Sequence, residues 1–327
     1  MNAQVCSVTV AYNNPKDLTN LLSSLKNRND ALTGLIVIDN SDDNFSEENR
    51  SIFNSNAPRF RFAQYHKTEN NIGSAGGFRS GMRIAHENGF DWVWLLDQDG
   101  AVSPGCLLEL LRHADESDIL CPNILSTEQP RISIPKVYTN NVFGAWYPVP
   151  RCAASCKIHT FGTHATLISE KSLDAIGYYD DSFFFVGWED YEYGYRATKA
   201  GLAIVFVKQA EAFHPRSRSR NTPKYLNLLP AHFDYIREPA GGTPCIRSRS
   251  LSPFSQAYLE SAHLKPWQFG VALVYSLCLA LYHKIIGERD IALVKTIRLH
   301  IKCLRRCVTK NWRYRSIEQL CGDILRM

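Results

Sequence analysis

The run Trp92-Val93-Trp94-Leu95-Leu96 is continuously apolar and stops at Asp97-Gln98-Asp99-Gly100. A strand reads this way when both of its faces are covered, so the chain must fold as a sheet with packing layers on either side. Ser103-Pro104 follows, a polar cap with a first-turn proline, and predicts a helix carrying Cys106, Leu107, Leu110 and Leu111 on one face. Asp97 and Asp99 then lie on the strand-to-helix loop, beyond the carboxyl end of the strand, where open α/β sheets bind ligands. Two carboxylates at i and i+2 there can converge on one hard divalent cation, which would in turn hold phosphate oxygens. A solvated acidic turn is the simpler account of an isolated pair, so the surrounding pattern decides.

That pattern repeats. A strand over 5–11 leads to Asn14-Pro15, a cap and first-turn proline, and to a helix with Leu18, Leu21, Leu22 and Leu25 on one face. A second strand, Leu35-Ile36-Val37-Ile38, ends at Asp39-Asn40; a third, Arg59 to Tyr65, runs toward Asn70-Asn71. This βαβα rhythm predicts an α/β fold, a mostly parallel sheet with helices on both faces. Each carboxyl end bears polar residues, Tyr12-Asn13, Asp39-Asn40, Asn70-Asn71 and Asp97-Gln98-Asp99, and together they predict a single concave site. Residues 120–165, with Pro122, Pro130, Pro135, Pro148 and Pro150, read as loops and short strands covering one side of it. A helix over 189–200 and a strand Leu202 to Val207, ending near His214, complete a first domain over 1–215. A basic linker rich in Pro, Gly and Ser over 216–252 and a helical basic region over 253–327 follow.

Charge is uneven. The formal net charge is only +5, yet from Lys284 to Met327 Lys and Arg far outnumber Asp and Glu. Such asymmetry points to a polyanionic partner, nucleic acid or an anionic membrane. The apolar run Phe269 to Tyr282 is shorter than the roughly 20 residues a membrane span needs, and suits a buried or interfacial helix. The N-terminus enters a strand at once, without a basic leader. Cys152 and Cys156 lie near His159 and His164, but not at the spacing of a common zinc motif. Reduced thiols in the cytoplasm are the simpler account of ten scattered cysteines.

Two further segments carry chemistry. Asn71-Ile72-Gly73-Ser74-Ala75-Gly76-Gly77-Phe78 reads as a glycine-rich loop before a helix at Gly81 to Asn88, able to bring backbone N–H groups to a phosphate or ribose. A nicotinamide-dinucleotide site is excluded by position, since the first strand-helix turn, Tyr12-Asn13-Asn14-Pro15, has no glycine. In Trp188-Glu189-Asp190-Tyr191-Glu192 the three carboxylates fall in the first turn of a helix. Glu192 and Arg196 form an i,i+4 pair that reads as a surface ion pair. Phe183, Phe184, Phe185 and Trp188 would wall a substrate ring and raise a neighbouring carboxylate toward the range of a general base. Ala212-Phe213-His214-Pro215 places one imidazole after a strand.

The ordered set Val8-Thr9-Val10-Ala11-Tyr12-Asn13, Ile38-Asp39-Asn40-Ser41, Asn71-Ile72-Gly73, Asp97-Gln98-Asp99, Trp188-Glu189-Asp190 and Phe213-His214 resembles glycosyltransferase family 2, inverting enzymes of the GT-A fold, over residues 3–215. The resemblance implies that Asp39 recognises the nucleotide base. Tyr12, Asn13, Asn71, Gly73, Gly76 and Gly77 would line the nucleotide and ribose, with Arg79, Asp97 and Trp188 completing the nucleotide-sugar site. Asp97, Asp99 and His214 would hold Mn²⁺ or Mg²⁺ on the diphosphate, and Asp190, or its neighbour Glu189, would be the base. Gly73-Ser74-Ala75-Gly76-Gly77-Phe78-Arg79 and Trp188-Glu189-Asp190 are similar to bacterial galactofuranosyltransferases, and Leu95-Leu96-Asp97-Gln98-Asp99 is shared with rhamnosyltransferases. The galactofuranosyl enzymes tend to carry Trp-Asp-Asp where this chain has Trp-Glu-Asp, which leaves the base open between the two carboxylates.

The implied donors are UDP-galactofuranose or dTDP-rhamnose, and the implied acceptor is a glycan or a lipid-linked glycan of a bacterial cell envelope. Work at the inner membrane face, by peripheral contact through the basic C-terminal region, and homo-oligomerisation are further expectations. A nucleic-acid-binding module would explain the basic tail but not the acidic pairs, which repel phosphate without a metal, so no nucleic-acid partner is expected. A nucleotidyltransferase would need a glycine-rich triphosphate loop that Thr9-Val10-Ala11-Tyr12-Asn13 lacks.

Overall fold

The computed structural model describes residues 3–25, 31–126, 132–133, 136–138, 146–148, 154–159, 161–181 and 189–215. They belong to the first of two compact units of the chain, Met1–Asp181 with Glu189–Arg216. Trp188 and the aromatic residues before it, Cys152, the 216–252 linker and the 253–327 region with its apolar run lie outside the described residues.

The N-terminal elements are β1 (Val5–Ala11), α1 (Pro15–Ser24), β2 (Leu32–Asp39), α2 (Asp43–Asn56), β3 (Phe62–Lys67), α3 (Gly73–Glu87) and β4 (Trp92–Asp97). Asn14 caps α1 through its side chain with Pro15 opening the helix, as the sequence predicts. Strands β3, β2, β1 and β4 lie side by side and parallel. In this register Val10 stands beside Asp97 and Ala11 beside Asp39, so the carboxyl ends of β4, β1 and β2 form one edge.

Beyond β4 the direction changes. The chain continues through β5 (Ala101–Val102), α4 (Cys106–Leu111), β6 (Ile119–Ser126), β7 (Ile132–Ser133), β8 (Lys136–Tyr138), β9 (Trp146–Pro148), β10 (Ser155–Lys157), β11 (Thr166–Ser169), α5 (Glu170–Ile176), α6 (Glu189–Lys199) and β12 (Ile204–His214). Strand β11 runs antiparallel to both β4 and β6, while β6 and β12 are parallel to each other. The expectation of a mostly parallel sheet thus holds for the first four strands, and the sheet as a whole is mixed.

Apolar side chains alternate between two cores, one on each face. Trp92, Trp94 and Leu96 of β4 face the layer of α1, α2 and α4 with Leu18, Leu22, Phe53 and Leu107, while Val93 and Leu95 face α3, α5 and α6 with Phe78, Met82, Leu173 and Tyr193. Burying a strand on both faces is what its unbroken apolar run required.

Several local expectations are corrected. The predicted helix start at Ser103-Pro104 falls later, because the short strand β5 comes first and Gly105, at a φ of 90°, turns the chain into α4. Ser103 Oγ instead donates to the Glu211 carbonyl at 2.8 Å. The stretch predicted as a glycine-rich loop is the first part of α3 itself. A Cβ on Gly77 would stand 2.7 Å from Val10, and one on Gly81 2.2 Å from Val8. Both glycines therefore let α3 lie directly on β1. Residues 119–126 form a long sheet strand, where the sequence suggested loops and short strands from 120 onward.

Candidate active site

Four chain segments meet at the sheet edge, and each is held by side chains of another. Asn13 adopts a left-handed φ of 44°, a conformation asparagine tolerates better than most residues. Its Nδ2 donates to Asp42 Oδ2 and its Oδ1 accepts the Asp42 N–H, both at 2.8 Å, which fastens the β1 loop to the β2 loop. Gln98 Oε1 accepts the Tyr12 N–H at 2.7 Å, and its Nε2 donates to the Asn14 carbonyl, fastening the β4 loop to β1. Tyr12 is 43% exposed at this edge.

Asp39 is fully buried. Its Oδ1 accepts from the Ser41 N–H at 2.9 Å and Asn49 Nδ2 at 3.2 Å, and its Oδ2 accepts from the Tyr65 hydroxyl. Burial alone would raise its carboxyl, but the bonds from Ser41, Ser46 and Tyr65 outweigh it and hold Asp39 below the ordinary carboxylate range. Both oxygens are thus engaged by the protein, and Asp39 shapes the β2 loop from beneath. Asn40 Nδ2 donates to the Gly73 carbonyl at 2.9 Å, and Asn71 Oδ1 accepts the Gly73 N–H at 2.8 Å, so this loop also fixes the start of α3. Gly76 and Gly77 are buried, Gly77 against Val10. Arg79 turns toward the segment before α6: its Nη1 donates to the Tyr179 carbonyl at 3.1 Å and its Nε stands 3.9 Å from Asp181 Oδ2.

The acid pair is met by β12. Strand β5, directly after the Asp97–Gly100 turn, pairs antiparallel with Ala212 and Phe213, and this delivers His214 to the carboxylates. His214 Nε2 lies 3.5 Å from Asp97 Oδ2 and 3.0 Å from Asp99 Oδ1. Burial alone would lower the imidazole, but its hydrogen bonds to Asp97 and Asp99 push it up to about 10. Among the described residues no group of three His, Cys, Asp or Glu side chains is arranged around a common point as metal ligands. His214 bonds the two carboxylates directly instead. The chemistry of the set still suits a hard divalent ion: two carboxylates and one imidazole, partly exposed, at the open edge of a sheet.

His164, which sequence analysis set aside, enters here. It is buried, accepts the Asp97 N–H on Nδ1 at 3.1 Å and bonds the Ala101 carbonyl through Nε2 at 3.1 Å. Burial is the largest influence on it and holds it below the ordinary imidazole range, so the ring is neutral. With both nitrogens engaged it is no zinc ligand.

Glu189 and Asp190 are 4% and 8% exposed in the first turn of α6, where the sequence placed them. Their charges act on the buried Tyr179 hydroxyl, which burial chiefly holds well above the ordinary phenol range. That hydroxyl lies 3.3 Å from Thr163 Oγ1, next to His164. The segment Gly162–Thr166 therefore runs between the two acidic clusters. The Glu192–Arg196 pair is also buried rather than superficial: the side chains are 2% and 23% exposed at 2.7 Å. Arg196 in addition donates to the carbonyls of Ile176 and Tyr178, binding α6 to the loop that holds Tyr179.

Sequence analysis placed Gln98 at the predicted site without giving it a role, and missed Tyr65, Asn49, Thr163 and Tyr179, which act across the fold and leave no local signal.

Comparison with known proteins bears on the family and the fold. The profile of Glycosyl transferase family 2 matches residues 6–177. Galactofuranosyltransferase GlfT1 of Mycolicibacterium smegmatis is 25% identical over 227 residues, 64% of this chain and 70% of that protein. Galactofuranosyltransferase GlfT1 of Mycobacterium tuberculosis is 31% identical over 139 residues, 41% of this chain, and the match spans 44% of the relative's length. Among solved structures, GalNAc-T7 with UDP, GalNAc and Mn²⁺ superposes with a TM-score of 0.59 at 11% identity, over 94% of this chain and 56% of that one. Residues 1–349 of TarS from S. aureus give 0.53 at 14% identity, over 95% and 93%. At these identities the structures speak for the fold alone.

Proposed function

The chain belongs to glycosyl transferase family 2 and is a glycosyltransferase of the GT-A fold; from that premise we propose that it transfers galactofuranose, with inversion, from a nucleotide-diphosphate donor to a glycan or lipid-linked acceptor of a bacterial cell envelope. The observation that carries the reading is the convergence of Asp97 and Asp99 with His214 at the carboxyl edge of the sheet. The sugar is drawn from the relatives' names and from the Gly73–Arg79 and Trp188–Asp190 segments.

Tyr12 offers a face for the base, while Asn13, Asn71, Gly73 and the loop shaped by Asp39 line the nucleoside. Asp97, Asp99 and His214 would hold Mn²⁺ or Mg²⁺. Such an ion, when bound, neutralises charge on the departing diphosphate. Asp190, or Glu189 beside it, takes the proton from the acceptor hydroxyl as its oxygen attacks the anomeric carbon and the bond to phosphate oxygen breaks. Both carboxylates are buried in the first turn of α6.

A panel of nucleotide sugars tests the reading. Turnover of UDP-galactofuranose that needs Mn²⁺ or Mg²⁺ and stops with chelator is expected. Turnover of dTDP-rhamnose instead would move the assignment to rhamnosyl transfer, which the Leu95–Asp99 segment also fits. Peripheral membrane contact through the basic C-terminal region belongs to the same proposal. No described helix is long and apolar enough to cross a membrane. Salt-sensitive sedimentation with anionic but not neutral vesicles is the expected result, at about 1 kcal/mol per basic residue near the surface.

A further inference from the structure

The turn bearing the acid pair is closed by a side chain with no part in the proposed chemistry. His164 bonds the N–H of Asp97, where the turn begins, and the carbonyl of Ala101, just past its end. One imidazole with its proton on Nε2 thus spans the whole turn and satisfies both backbone groups. Gly100 lies against the ring: a Cβ there would stand 2.1 Å from Cε1 and 2.5 Å from either nitrogen. Gly100 is not among the glycines with positive φ, so backbone freedom does not explain it, and space for His164 does. The same ring stands 5.6 Å from that of His214, centroid to centroid.

We infer that His164 is a positioning residue: it fixes the Asp97–Gly100 turn so that both carboxylates face His214, and Gly100 is glycine in order to admit it. The inference rests on the reading of Asp97, Asp99 and His214 as a cation site. It differs from a merely structural role, in which a core histidine satisfies two backbone groups and its loss costs stability alone. Groups that orient metal ligands without touching the metal typically govern affinity by about 10- to 100-fold.

The test uses the full chain and the variants His164→Ala, Gly100→Ala and the double variant. Mn²⁺ alone is titrated by electron paramagnetic resonance, amide exchange is followed over 97–102 and 5–11, and thermal unfolding is recorded. Each single variant is expected to weaken Mn²⁺ binding about 10- to 100-fold and to speed exchange over 97–102 while 5–11 stays protected. The double variant should be no worse than the poorer single one, since both act on one contact. His164→Gln, which keeps the space filled and offers an acceptor and a donor, should fall between wild type and His164→Ala. Wild-type Mn²⁺ affinity and unchanged exchange in folded variants with a lowered Tm would overturn the inference. Should the wild type itself bind no Mn²⁺, the cation reading falls. The exchange data then decide alone: selective loosening of 97–102 upholds the hold of His164 on the turn, and uniform exchange removes it.

Discussion

On one side of β4 lie β1, β2 and β3, all parallel, whose loops are bonded to one another: Asn13 to Asp42, Gln98 to Tyr12 and Asn14, Asn40 to Gly73. On the other side lie β11, β6 and β12, which contribute few side chains to the edge, each from far along the sequence: His164 ahead of β11 and His214 at the end of β12. In the first half the polar groups are spent on each other, so the loops form fixed walls with Tyr12 left open. In the second half the polar groups are aimed at the acid pair. On the proposed reading, a site of this design separates holding the donor from acting on it, and substitutions should sort the same way.

Asp99→Ala should show this most strongly. Transfer should fall by at least about 10³-fold with the Tm little changed, because a partly exposed loop carboxylate supports charge at the reacting centre and not the core. Near-normal turnover in the presence of EDTA would break the division. Next comes Asp190→Asn, nearly isosteric, which should lower turnover by roughly 10²-fold or more while donor binding, read by calorimetry, persists. If Glu189→Gln collapses turnover and Asp190→Asn does not, the base is Glu189.

The parallel half should answer in stability. Glycine to alanine inside a helix ordinarily stabilises by about 0.5–1 kcal/mol, but Gly81→Ala places a Cβ 2.2 Å from Val8. Overpacking of this kind costs about 1–3 kcal/mol, and thermal denaturation should show the reversed sign. The smallest effect concerns Asp39. Its folded value is lowered, so the stability it contributes is present at neutral pH and lost as pH falls below about 4, through the folded value. Tyr65→Phe removes one bond to Asp39 and should shrink the difference between urea midpoints at neutral and acid pH, by about 1 kcal/mol or less.

The same two halves were unequally legible in the sequence. β1, α1 and β4 announce themselves because strand, cap and helix are contiguous, and the acid pair stands where β4 stops. The glycines of 73–81 misled, because a glycine-rich stretch signals a loop unless Val8 and Val10 across the gap are known. Pro122 counted toward loops and short strands, yet β6 runs through it: it stands past the last pair with β11 and pairs with Val207 of β12, where that ladder's register shifts. Glu192 and Arg196 gave the right pair by spacing, but its burial depends on the carbonyls of Ile176 and Tyr178. His164 had no local signature: only the crowding at Gly100 exposes it.

The pairing of β5 with β12 has a consequence for how the protein is made. β1 to β4 emerge early and can pair soon after synthesis, since each neighbour is close in sequence. Asp97 and Asp99 then stand together at the tip of β4 with no imidazole between them until Ala212 and Phe213 dock on β5. A ribosome-bound chain stopped before β12 would hold the walls of the cleft without its completed acid pair. On the proposed reading the cation site is therefore completed only when the closing strand docks, after nearly the whole sheet has formed.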